Sequence, residues 1–135
     1  MAGWKGTSPA AWADKTDRKT DMLVQKVALE MFSKVIMRSP VDTGRFRGNW
    51  QVGIGNVPAG TLDLNDGSGT ATVNRATAEA MGVKAGDTIS LVNNLPYGPR
   101  LEDGWSGQAP AGMVGLTVQE FQAVVRKIGL ELVQI

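Results

Sequence analysis

Apolar positions recur with helical spacing at both ends of the chain and alternate in its middle. Counting from Val24, the residues Val27, Ala28, Met31, Phe32, Val35 and Ile36 stand at i+3, i+4, i+7, i+8, i+11 and i+12, while Lys26, Glu30 and Lys34 take the opposite side. This stripe predicts an amphipathic helix ending near Arg38. Ser8-Pro9 is a cap followed by a first-turn proline, so the helix can begin there and run with one irregularity to Arg38. Near the other end Val114, Val118, Phe121, Val125, Ile128 and Leu132 recur at steps of four and three, a second helical face. Thr117 and Glu120 have capping-box spacing, which offers a later start for that helix. Between the helices Trp50, Val52 and Ile54 alternate with Gln51 and Gly53, a strand with one buried face. Residues 70–74 read as a short returning strand and 75–81 as a short helix closed by Gly82. Residues 88–93, with Ile89, Leu91 and Val92, read as a further strand at the centre of the sheet.

The punctuation between these elements is dense. Pro40 stops the first helix, and Asp42-Thr43-Gly44 supplies a turn into Phe46 and Trp50, which head a segment suited to pairing in a sheet. Residues 1–8 hold Trp4 between Gly3 and Gly6 without periodicity, and read as an arm that orders against a partner or packs back on its own domain. Residues 55–69 read as a hairpin arm turned by Asn65-Asp66-Gly67 or as an irregular loop. Residues 94–115 form a Gly/Pro-rich loop. Two terminal helices and at least three strands give an α+β class: an antiparallel β-sheet with a long N-terminal helix and a C-terminal helix packed on one face. The 135 residues make one domain, 1–135.

Composition then narrows the chemistry. The chain has neither Cys nor His, which removes thiolate sites, the commonest zinc ligands and the commonest general base, and counts against most enzyme classes. No phosphate loop, triad or metal-ligand cluster is present, so no cofactor is expected. No apolar run reaches bilayer-spanning length and the N-terminus lacks a signal-peptide pattern, so a soluble protein made in the cytoplasm, with no membrane partner, is expected. Net charge is only +1 but is unevenly placed, with nine Lys/Arg against five Asp/Glu in residues 1–50 and the opposite bias after them. Such polarity suits head-to-tail contact between identical subunits, or is simply a solvated helix face.

Two motifs carry a family resemblance. S-P-V-D-T-G-R-F-R-G-N-W at 39–50, followed by N-N-L-P-Y-G-P-R-L-E-D-G-W-S-G-Q-A-P-A-G-M at 93–113 and the T-V-Q-E-F helix, resembles a family of long-tailed bacteriophage neck proteins. These are usually labelled tail-component or tail-completion proteins and are typified by gene product ten of HK-type lambdoid phages. The likeness spans nearly the whole chain, with V-D-T-G-R and Tyr97-x-x-x-Leu101-Glu102-x-Gly104 in the same order. It implies a non-catalytic virion protein at the head-to-tail junction, a tail terminator or a tail-completion or connector subunit. It also implies a cyclic homo-oligomer, most simply a hexamer, whose partners are the tail-tube protein and the head connector. Packaged DNA would pass through its channel without sequence-specific binding.

The residues to watch follow from both readings. Trp4, Tyr97, Arg100, Glu102, Asp103 and Trp105 are candidates for the subunit interface, aromatic and charged groups on Gly-rich segments that can order on assembly. Glu102 is a candidate partner for an Arg of its own or the next chain. Arg45 and Arg47, two apart on a strand-like segment, would project from one face to line a DNA channel, meet a neighbour's acidic loop, or pair with Asp42. The alternative function is a small nucleic-acid-binding module using Arg45, Arg47, Lys34 and Arg38.

Overall fold

The computed structural model describes residues 8–133. Ser8 accepts the Ala11 N–H at 3.1 Å, Pro9 fills the first turn, and α1 runs unbroken over Pro9–Arg38, about 45 Å at the usual helical rise. Ser39 then turns to extended backbone ahead of Pro40, as residue types at that point require. Its hydroxyl donates to the Val35 carbonyl at 2.8 Å and accepts the Trp50 indole N–H at 2.7 Å, which ties the helix end to the first strand.

The corner itself departs from expectation. Arg45–Gly48 is a single helical turn, α2, rather than the start of a strand, and Gly44 enters it with φ +87°. A Cβ at Gly44 would sit 2.4 Å from the Gly67 backbone nitrogen, so only glycine allows segment 66–67 to lie against the turn. β1 (Trp50–Ile54) pairs antiparallel with β2 (Ile89–Asn93), Val52 opposite Leu91. These two strands are the whole sheet among the described residues, so β2 lies at an edge and not at a centre.

Residues 70–74, expected as a strand, open the helix α3 (Thr70–Ala80). The cause is Asp66, which turns no hairpin. One of its carboxylate oxygens accepts the Thr72 N–H at 2.8 Å and the Thr72 hydroxyl at 2.6 Å, and the other accepts the Gly69 N–H at 3.2 Å. Unpaired donors of a helical first turn are thereby satisfied. Thr72, Ala76 and Ala80, four apart, are the buried side of α3. Ahead of α3, residues 55–69 form the irregular loop rather than the hairpin. The fully buried Asn49 holds it, exchanging bonds with Leu62 in both directions at 2.7 and 3.1 Å.

The α+β class and the two terminal helices are as expected. The long loop carries one short helix, α4 (Gly98–Glu102), and the C-terminal helical face is split into α5 (Val114–Val118) and α6 (Phe121–Val133). Thr117 and Glu120 form no capping box. The Thr117 hydroxyl donates to the Met113 carbonyl, and Glu120 reaches Lys34 and Arg38 of α1, both at 2.7 Å. α6 packs along α1, and α3 packs against α1 and β1. The main core gathers Val35, Ile36, Phe46, Trp50, Ala76, Leu95 and Met113, and a second cluster of Val124, Ile128 and Leu132 seals α6 to α1. Each Val, Leu, Ile, Phe or Met side chain among these contributes roughly 1.5–3 kcal/mol on burial.

Candidate interaction surface

The two motifs that are fifty residues apart in sequence meet in space. Phe46, held on α2, packs edge-on to Trp50 at 5.7 Å between ring centroids and tilts against Tyr97 at 5.9 Å. Gln108 then clasps the corner: its side-chain oxygen accepts the Val41 N–H and its amide donates to the Val41 carbonyl, both at 2.9 Å. Between corner and loop lies an open recess of about 360 Å³, walled by Val41, Thr43, Arg45, Tyr97, Leu101 and Trp105.

Glu102 shapes the far side of the loop. Its carboxylate accepts the N–H groups of Met113, Val114 and Gly115 at 2.9–3.0 Å and so caps α5 from a distance. Burial pushes this carboxyl up, but the N–H donors of Gly115, Val114 and Met113 outweigh it and hold the group below its ordinary value. Gly112, at φ +80°, lies so close that a Cβ there would stand 2.5 Å from the Glu102 carbonyl oxygen. Among the described residues Glu102 forms no ion pair with an Arg, and its carboxylate is instead taken up by backbone donors.

Trp105 is 71% exposed and Tyr97 43%, on the same loop. The Arg100 guanidinium lies 5.2 Å from the Trp105 ring centre, a cation–π contact at the surface. Asp103 is exposed at the end of α4. Trp4 lies outside the described residues.

Arg45 and Arg47 do not share a face, since the strand that would have aligned them is a helical turn. Arg45 is exposed at the recess. Arg47 folds inward and donates to the carbonyls of Gly67, Met37 and Ser39 at 2.8–3.0 Å. Lys34 and Arg38 are bound to Glu120, and Arg38 also donates to Thr117 at 2.8 Å. Their hydrogen bonds, Arg38 first and Lys34 second, hold the Glu120 carboxyl down to about 2. Three of the four cations proposed for nucleic acid are thus engaged inside the chain, and no pairing of Arg45 or Arg47 with Asp42 forms.

Three features went unread in the sequence: the Asp66 cap, the Gln108 clasp, and an apolar groove of about 430 Å³. α1 contributes Leu23, Val27 and Met31 to that groove, Ile89 of β2 lines it too, and Phe121 and Val125 of α6 complete it. A signal for the first existed in the Thr72, Ala76, Ala80 spacing. The other two join residues distant along the chain.

Among the described residues there is no cluster of three or more acidic, His or Cys groups that could hold a metal, and no helix long and apolar enough to cross a membrane. No family model, no curated protein and no solved structure matches this chain.

Proposed function

We propose that this chain is a virion structural protein of a phage head-to-tail junction, a non-enzymatic subunit of a ring that completes the tail and joins it to the head connector. The observation that carries the reading is the meeting of the V-D-T-G-R corner and the Tyr97 to Gly104 segment around one open recess. Exposed aromatic side chains stand there, and the nearby carboxylate, Glu102, is consumed as a helix cap. Exposed Trp and Tyr beside a recess are the groups that contribute most to protein interfaces. A ring needs two different patches per subunit, and the recess and the apolar groove at α1, β2 and α6 are two such patches.

The test is genetic and visual. Lysates of a phage lacking this chain are imaged by electron microscopy. Unjoined heads and tails support the assignment, and particles joined as in the parent phage remove it.

A further inference from the structure

The two-stranded sheet leaves the outer edge of β2 open among the described residues. Register and the Gly55 N–H to Thr88 carbonyl bond at 2.8 Å set the ladder's alternation. Residues 88, 90 and 92 exchange bonds with β1, whereas Ile89 and Leu91 turn their N–H and C=O groups to the open edge. Among the described residues, no hydrogen bond from another element reaches the backbone of either. The β1 edge differs, because Arg75 of α3 donates to the carbonyls of Gly48 and Trp50 at 3.0 Å. The open strand carries no Lys, Pro or Asp to discourage pairing. At the Ile89 end of that strand lies the apolar groove, where Leu23, Val27 and Met31 of α1, half-buried against α6, and the exposed Phe121 of α6 keep apolar surface open.

What fills it can be argued from the length of chain outside the described residues. α1 makes hydrogen bonds to the body from Asp21, which accepts the Ala85 N–H at 2.9 Å, and from Gln25. Nearly all of the described side chains before Asp21 are exposed. Val27, at the middle of the groove, is about 27 Å along α1 from Pro9. Trp4 is four residues before Ser8, a reach of about 14 Å when fully extended. Even folded straight back along α1, Trp4 would stop level with about residue 18, short of the groove. The chain's own first residues therefore cannot seat Trp4 at its centre, while a second copy's can.

We infer that the groove beside β2 is a strand-addition site for the N-terminal residues 1–7 of a neighbouring copy, with Trp4 of that copy as the apolar anchor. Residues 1–7 contain no Pro, so each carries the backbone N–H and C=O that pairing with Ile89 and Leu91 requires. A Trp side chain brings roughly 150–250 Å² of burial to an apolar recess. This inference rests on the reading that copies of this chain assemble, and it assigns which part of one copy enters which part of the next.

Because the chain has no Cys, introduced thiols report without interference. Lys5→Cys and Gln122→Cys chains, neither change touching the Trp4 anchor or the groove wall, are mixed and oxidised with diamide. Molecular mass is read by light scattering before oxidation. The expected result is a disulfide-linked pair containing one chain of each kind, formed at least tenfold faster than links in either chain alone. Trp4→Ala, or removal of residues 1–7, is expected to weaken association at least tenfold with an unchanged unfolding midpoint. Oligomers that form without that link, or a link within single chains of a variant carrying both Lys5→Cys and Gln122→Cys at monomeric dilution, overturn the inference and leave the ring reading standing. A chain that is monomeric and unlinked at every concentration overturns both. The link formed in assemblies whose mass before oxidation stops at two chains keeps the groove assignment and removes the ring.

Discussion

The carboxylates Asp66 and Glu102 and the aromatic pair Tyr97 and Trp105 lie on neighbouring segments and have opposite fates. Each carboxylate turns inward and spends its charge on backbone N–H groups at a helix start. The aromatic residues stay at the surface, one of them stacked only by Arg100. The difference separates what holds the corner together from what the corner presents. Polar groups that look chemical in a sequence are internal fasteners here, and the apolar groups are what a partner would meet.

Removing the fasteners should therefore cost stability, and removing the aromatic surface should not. The largest effect is expected for Asp66→Ala, which strands the Gly69 and Thr72 donors at the head of α3. Loss of about 2–3 kcal/mol is expected in urea unfolding. Glu102→Gln keeps the shape but weakens three N–H bonds at a half-exposed site, and about 1 kcal/mol is expected in the same measurement.

Acid should act on the same side of the comparison. Burial pushes the Asp66 carboxyl up, and the bonds from Thr72, Gly69 and Ser68 overcome it, so its folded value lies below the ordinary 3.8; Glu102 lies below 4.5 in the same sense. A depressed folded value means stability that is complete above the unfolded value and lost as pH falls through the folded one. The unfolding midpoint should stay level from neutral pH to about 5 and drop below about 4. In Asp66→Ala that drop should be shallower, as thermal melts at pH 3 and pH 6 would record.

The smallest effect on stability is expected at the surface. Trp105→Ala should change unfolding by no more than about 0.5 kcal/mol, yet weaken self-association about tenfold if Trp105 is a centre of the interface.

How far the sequence was legible follows the same division between local and distant. The α1 stripe, the Ser8-Pro9 start, the Pro40 stop and both ends of the β1–β2 pair were readable, because each rests on spacing within one segment. Thr70 to Asn74 holds three β-branched residues, Thr70, Thr72 and Val73, and reads as a strand. The helix wins because Asp66 supplies the missing cap and Thr72, Ala76 and Ala80 bury as one face. The i, i+2 spacing of Arg45 and Arg47 misleads for a similar reason: the left-handed Gly44 starts a helical turn, and Arg47 is drawn in by three carbonyls from other segments. Of the candidate surface, the motif residues and their setting on a Gly-rich loop were legible. The Gln108 clasp and the Glu102 cap depend on a chain path that no local pattern encodes.

The most direct test of the corner as an interface between copies is the mass of the purified chain across concentration, measured by sedimentation beside Trp105→Ala. A species that grows to a fixed ring size in the parent chain, and needs about tenfold more protein in Trp105→Ala, is the expected result. Identical association curves for the two chains, or a monomer throughout, would contradict it.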